Sequence, residues 1–415
     1  MEGISRFFRD RFWREQKVSA YAAVGILVFL TSFFWSPTRD FMHVVYGLAY
    51  FTPLLLVLLL RRPDFKQYGG WFTGLALLYA GYASISTLWS EAPRMEFFAQ
   101  HFLFLAVWLA GTAWLAWQAR LDVGRIYRVL IITGAIAAVV FQILFHLRSL
   151  PVGYATELGT RLGLLDYGVT SNPNTIGFVF GATTLLAYIW WLESKGCREG
   201  LSRVALLLLN ASAVLATQSR GPILALAFTL AVGFAAYRGS SRKWLTHILA
   251  VFFLLGGFAV AIQQQLIPNR WDSASMVSSL RPEIWQHMVN RAVEEHFWLG
   301  DGLVKTTRIH VPGLEDRLPY THHAHNAYID AFYWTGLIGL LLMCMHFIYV
   351  LRHWSNSPQM LPLYLWFLFG CLTALVDRPG FFEHLNPHWF VYWIPAGLIG
   401  ALVMAEKSNR LSATV

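Results

Sequence analysis

The sequence predicts an all-α polytopic membrane protein, with about twelve transmembrane helices and one large periplasmic loop between the ninth and the tenth. Three observations carry that reading. Of the 415 residues, 56% are hydrophobic and only 13% are charged, where a soluble chain of ordinary composition carries about a quarter. Apolar runs of about 20 residues, enough to span a bilayer core, recur along the sequence. One long polar interruption, residues 267–325, separates the last three runs from the others.

The runs extend approximately over Val18 to Trp35, Met42 to Leu60, Trp71 to Trp89, Phe97 to Trp117 and Arg125 to Leu147. Then come Asn174 to Leu192, Val204 to Thr217, Pro222 to Tyr237 and Trp244 to Leu266, and after the loop Asn326 to Leu351, Leu361 to Val376 and His388 to Ala405. The seventh and eighth are short for a span. No internal repeat or soluble domain stands out, so residues 1–415 read as a single transmembrane domain whose loop, 267–325, carries the active-site elements. The N-terminal stretch from Arg6 to Arg14 is basic and amphipathic and leads into a full-length span, which does not read as a cleavable signal peptide.

The formal net charge is +9. Nucleic acid is excluded as the reason, because the excess lies mostly in short loops between spans, where positive charge sets topology. With a cytoplasmic N-terminus, one set of loops holds Arg61, Arg62, Lys66, Arg120, Lys195, Arg198, Arg238, Arg242 and Lys243. The other short loops hold little beyond Arg39, Arg94, Arg148, Arg161, Arg220 and Arg378. That asymmetry puts the second set, and the large loop, outside, and an even count returns the C-terminus to the cytoplasm. The three cysteines, Cys197, Cys344 and Cys371, have no metal-type spacing and form no credible disulfide pair.

Four places could carry chemistry. Arg220 lies in the turn from Thr217 to Pro222, where Gly221-Pro222 is a turn signal and Pro222 suits a helix start; a snorkelling cap suits its position equally well. Arg281 precedes Pro282 and a helical pattern with apolar residues at Ile284, Trp285, Met288, Val289, Ala292 and Val293. Helix N-termini already favour anions, so an arginine there would extend an anion site; an ordinary surface arginine is the other reading. The third place is the cluster His322, His323 and His325, followed by Asn326. It lies in a loop without a carboxylate or cysteine at ligand spacing, which argues against a metal. A neutral histidine, with an ordinary pKa of ~6.5, can accept a proton, while His325 and Asn326 also suit a helix cap. Finally, Asp330 falls about one turn inside the tenth span, where a carboxylate is costly and usually paired; His325, Arg220 and Arg281 are candidate partners. Arg161 and the turn Asn172-Pro173-Asn174 are lesser candidates.

Taken together, Ser219-Arg220-Gly221, the late outer loop, Arg281 four residues before Trp285, His325-Asn326 with Tyr328, and the glycine pair Gly336 and Gly339 resemble the O-antigen ligase family, within the O-antigen ligase and polymerase superfamily. Asn172 to Asn174 looks like that family's upstream asparagine motif. The resemblance covers mainly residues 170–345, and the first five spans are similar in hydropathy only. The family often has an acidic residue just before the first glycine of the pair; here Trp334-Thr335 stand there.

The resemblance implies a glycosyltransferase at the periplasmic face of the bacterial inner membrane. The donor would be a glycan on undecaprenyl pyrophosphate and the acceptor a sugar hydroxyl of lipid A–core, with inversion, no metal and no cofactor. His325 would be the base, and Arg220 and Arg281 would hold the pyrophosphate. Asn174, Arg161, His323, Asn326 and Asp330 would be secondary. An O-antigen polymerase or a protein O-oligosaccharyltransferase would share these motifs and the donor. A lipid-linked glycan transporter would instead place ionisable residues near mid-membrane or show paired broken helices. The topology is testable. Cysteines introduced at Asn269 or Thr306, with the native three replaced, should react with a membrane-impermeant thiol reagent added from the periplasm. Labelling only after the inner membrane is opened would overturn the orientation.

Overall fold

The computed structural model describes residues 15–61, 70–149, 162, 172–237, 280–305, 308–314, 316, 320–376 and 380–413. Among them the chain is helical, with one isolated antiparallel bridge between Ile309 and Thr321 and no sheet. The helices are α1 (Glu15–Trp35), α2 (Arg39–Tyr46), α3 (Thr52–Arg61), α4 (Trp71–Ser86), α5 (Met95–Trp117), α6 (Val123–Ser149) and α7 (Pro173–Leu192). They continue with α8 (Cys197–Ala216), α9 (Arg220–Ala236), α10 (Arg281–Glu295), α11 (Ala327–Arg352), α12 (Leu361–Thr373), α13 (Pro387–Val391) and α14 (Trp393–Ala413).

Eight helical stretches among the described residues are long and apolar enough to cross a membrane, and α9 and α12 are shorter apolar helices. Each described run expected from the sequence is helical; the run from Trp244 to Leu266 lies outside the described residues, as do Arg161 and Arg378. The short seventh run is lengthened in α8 because the polar segment from Cys197 to Arg203 is also helical.

The interior is tied by polar groups that would be expensive in lipid unless paired. The buried Thr183 hydroxyl of α7 donates to Asn210 Oδ1 at 2.7 Å, and Asn210 Nδ2 donates to the Ile131 carbonyl of α6 at 3.2 Å. That bridge joins α6, α7 and α8. Trp108 of α5 donates from Nε1 to the Trp393 carbonyl at 2.9 Å, joining α5 to α14. Aromatic packing of Phe29 against Tyr46, Tyr50 and Trp108 closes the N-terminal helices onto the same core.

Two runs that read as continuous spans are interrupted, and proline accounts for both. Proline removes the N–H that would bond the carbonyl four residues back, and its ring crowds that carbonyl. Pro53 thereby releases Ala49, inside a π-helical turn over Gly47–Phe51 that joins α2 to α3. Pro395 likewise releases Val391, at the break between α13 and α14. Each released carbonyl faces a glycine on another helix. A Cβ added at Gly25 would lie 1.9 Å from the Ala49 oxygen, and one at Gly370 would lie 1.9 Å from the Val391 oxygen. The helices cross there in backbone contact. Gly370→Val should therefore force α12 away from α13 and cost at least the ~1–3 kcal/mol of an overpacked core site. Thermal unfolding in detergent checks this, and an unchanged melting temperature would contradict the crossing.

Candidate active site

Helix ends bearing the sequence motifs meet at one end of the bundle. Asn172 caps α7, its side chain accepting from the Asn174 N–H at 2.8 Å. The turn from Thr217 to Pro222 lies against it, since a Cβ at Gly177 would come within 2.8 Å of Pro222. The buried Leu162 donates its N–H to the Ala216 carbonyl at 2.8 Å, which places that residue beside the same turn. The end of α12 lies on the other side: a Cβ at Gly221 would meet Val376 at 2.6 Å. That same end receives α11, because the Ala327 N–H donates to the Ala374 carbonyl at 2.8 Å and the Tyr328 hydroxyl to the Cys371 carbonyl at 3.1 Å. The Arg220 turn and the start of α11 thus flank one helix end.

The histidine loop is held from both sides at Ala324, which is fully buried. Its carbonyl accepts from Trp285 Nε1 of α10 at 2.7 Å, and its N–H donates to Asp330 Oδ1 of α11 at 3.0 Å. The buried face of α10, Ile284, Met288 and Ala292, packs with Tyr333 and Trp334 of α11 and with Ile309, Val311 and Leu314 of the loop. The helix that Arg281 opens is therefore docked against the histidine loop. Asn326 caps α11, accepting from the Tyr328 and Ile329 N–H groups at 3.0 and 3.3 Å. His325 adopts φ 56°, a left-handed conformation that costs a non-glycine residue about 1–3 kcal/mol and concentrates at functional sites. Gln218, two residues before Arg220, has φ 51°. Left-handed backbone thus occurs in both motif turns; Ala119 shares it elsewhere.

The predicted residues fall as follows. Arg220 is the first residue of α9 and Arg281 the first of α10, both half-buried. His325 is half-buried, with its ring 4.1 Å from that of His323, and its N–H donates to His323 Nδ1 at 3.1 Å. Asn174 is half-buried in the first turn of α7, and Arg161 lies outside the described residues. Asp330 takes a partner that was not expected: in place of a cation, its Oδ1 accepts the Ala324 N–H, so the fully buried carboxyl anchors the loop in front of His325. Among the described residues, no group of three His, Cys, Asp or Glu side chains is arranged to hold a metal ion.

Residues that sequence reasoning missed line a cavity of about 330 Å³ next to His322 and His323. They include His101, Lys305, Glu383 and His384. Of these, His101 sits in an apolar span, Lys305 in the large loop away from its motifs, and Glu383 and His384 in a short loop without a motif. His384 is pushed down to about 4 by burial, with Arg39 and His43 adding to the effect; the Arg39 guanidinium lies 3.4 Å from its Nε2.

A multi-pass helical membrane protein is thus defined, with an arginine-bearing turn, an arginine-headed helix and a strained histidine loop gathered at one end. Residues 205–344, a window that contains Arg220, Arg281 and His325, match the family model Wzy_C, described as O-antigen ligase. The chain is also 28% identical over 395 residues to a protein of Pseudomonas aeruginosa named O-antigen ligase, with 92% of this chain and 91% of that one covered. The chain is thus similar to O-antigen ligases over most of its length, and its membrane-length helices fit a multi-pass membrane protein.

The low pKa of His384 has a consequence for stability. Above pH ~6.5 the imidazole is neutral in both the folded and the unfolded chain. Between there and about 4, only the unfolded chain takes up the proton, so this group's contribution is lost as pH falls through that window. Melting temperature should fall less steeply from pH 7 to pH 4.5 in His384→Gln than in the unsubstituted protein; parallel profiles would contradict the shift.

Proposed function

We propose that the chain is an O-antigen ligase of lipopolysaccharide biosynthesis. It transfers O-antigen polysaccharide from undecaprenyl pyrophosphate to a sugar hydroxyl of lipid A–core oligosaccharide at the periplasmic face of the inner membrane. The observation that carries the reading is the meeting of the Arg220 turn, the start of α10 and the His325 loop at one end of the bundle. Family similarity supports the general activity.

The chemistry follows from the residue types. The acceptor oxygen attacks the anomeric carbon of the donor, and the bond from that carbon to the pyrophosphate oxygen breaks. The electron pair leaves with the pyrophosphate, while His325 takes the proton of the attacking hydroxyl. A single displacement of this kind inverts the anomeric centre. Charge builds on the leaving group, and the guanidinium forks of Arg220 and Arg281 suit its oxygens bidentately. Cationic groups aimed at developing charge supply the electrostatic stabilisation, so the reaction proceeds without a divalent ion or cofactor.

Lipopolysaccharide banding in a deletion strain tests the class. Loss of all long-chain bands fits the ligase. Bands with a single repeat would indicate a polymerase, and unchanged bands with lost glycoproteins a protein O-oligosaccharyltransferase. With purified donor, turnover should survive excess chelator; abolition with rescue by one divalent ion would overturn metal independence.

The roles of Arg281 and His325 separate in single-turnover transfer and donor binding. Arg281→Lys keeps the charge but loses the planar fork, so donor binding and transfer should both fall sharply. His325→Ala should slow transfer by ~100- to 10,000-fold, the usual range for a general base, with donor binding largely kept. Transfer by the unsubstituted protein should decline on acidification, and the alanine variant should lose that dependence. Loss of donor binding in His325→Ala with the pH profile unchanged would make the histidine a binding group.

A further inference from the structure

Beside the histidine loop lies the 330 Å³ cavity, which the transfer chemistry above leaves unused. Its apolar walls are aromatic: Phe97 and Phe98 of α5, Trp334 of α11, and Phe382. Its polar lining is mixed in kind, with the Lys305 ammonium, the Glu383 carboxylate and the imidazoles of His101, His322, His323 and His384. His101 is 3% exposed, and its Nδ1 has no hydrogen-bond partner. The ring is wedged edge-on against Phe97, with centroids 4.2 Å apart. A buried polar atom without a partner is rare in a folded protein and calls for an explanation; its residue lines the cavity, and an occupant that drew the ring toward it would supply the partner. Glu383 is held in place, since its Oε2 accepts from Asn386 Nδ2 at 2.6 Å. Lys305 is held over the Phe97 ring at 4.9 Å.

The lining selects among occupants. An acyl chain would leave ammonium, carboxylate and imidazole unmatched, and a phosphate would face Glu383. A sugar ring suits both sets. Its C–H faces lie against aromatic rings, and each hydroxyl can donate to a carboxylate or accept from an ammonium. The volume stands at the lower end of the ~300–1,000 Å³ of small-molecule sites, which matches one or two rings rather than a polymer. Position then distinguishes acceptor from donor. Neither Arg220 nor Arg281 lines the cavity, whereas His323 does, and His323 Nδ1 accepts the His325 N–H. The Arg220 turn connects to the start of α11 through Val376, Ala374 and Ala327, none of which lines the cavity. In an inverting displacement the attacking sugar must come from the side opposite the leaving group.

We infer that this cavity is the acceptor subsite: it binds the terminal sugar of the core oligosaccharide, with His101, Glu383 and Lys305 reading its hydroxyls. The inference rests on the ligase reading for the name of the sugar's source. Val304 lines the cavity from a loop, so Val304→Trp fills it without touching a polar group, and His101→Phe keeps the ring but removes the unpaired nitrogen.

The test titrates delipidated core oligosaccharide into the full-length protein in nanodiscs by calorimetry, and measures transfer while donor and lipid A–core are varied separately. Expected are binding to the unsubstituted protein, binding about ten-fold or more weaker in each variant, and a KM for lipid A–core raised to match, with donor KM unchanged; ten-fold corresponds to the loss of about one good hydrogen bond. Folding of each variant is checked by its melting temperature, and either variant alone suffices. A raised donor KM instead would assign the cavity to a donor sugar and overturn the inference. Unchanged constants in folded variants, or no binding to the unsubstituted protein, would also overturn it. Binding without any transfer to lipid A–core would support the sugar site and sink the ligase reading.

Discussion

The site depends on one exchange of backbone hydrogen bonds. Within α11, Gly336 has φ 62° and breaks the helix. The break leaves the carbonyls of Tyr333 and Trp334 and the N–H groups of Leu337 and Ile338 without helical partners. All four are taken by the segment that follows α10: Asp301 and Gly302 donate to the two carbonyls at 2.9 Å, and the Phe297 and Trp298 carbonyls accept the two N–H groups at 2.8 and 3.3 Å. Each such group left unpaired in lipid would cost several kcal/mol. The fit leaves no room for a side chain, since a Cβ at Gly300 would lie 2.4 Å from the Gly336 nitrogen and one at Gly336 2.3 Å from the Trp298 oxygen. The same segment is fastened to α4 and the turn after it, with Trp89 Nε1 donating to the Gly300 carbonyl and the Leu303 N–H to Ser86 Oγ, both at 3.2 Å. The loop carrying Lys305 and the docked α10 are thereby fixed to the transmembrane bundle rather than hinged upon it.

Fixing α10 also fixes the histidine loop. Trp285 and Asp330 grip the two sides of one peptide unit pair at Ala324, and the next residue, His325, adopts left-handed backbone that an unconstrained histidine would leave. Such strain persists only where the surroundings over-determine it. The bonds at Ala324, the cap at Asn326 and the bond from Ala327 to Ala374 provide that over-determination within four consecutive residues.

Much of this was legible in the sequence, for physical reasons that also mark its limits. Span positions follow from hydropathy because lipid admits little else; Arg220 and His325 stand out as polar residues at the ends of apolar runs, and Arg281 as the residue before Pro282 and an amphipathic pattern. The helix interruptions were less legible. Pro53 and Pro395 signal trouble for a helix, but not that Gly25 and Gly370, far away in sequence, meet the carbonyls they release. Asp330 was seen to need a partner; that the partner is a backbone N–H six residues earlier depends on how the loop folds back. His101 reads as an ordinary residue of an apolar helix, and only the arrangement of α5 beside the 380–384 loop makes it part of a cavity wall.

The broken helix also bears on how the protein is made. The groups exposed at Gly336 have their partners more than thirty residues earlier in the chain, and those partners are braced by a helix end earlier still, at Ser86 and Trp89. Synthesis from the N-terminus therefore delivers the brace first, the strap second and the broken helix last. A chain altered between residues 297 and 302 would still produce α11, but as a segment with open backbone groups at its break. Such a chain is a natural target for quality-control proteases, so lesions in the strap would be read in the cell as missing protein rather than as a slow enzyme.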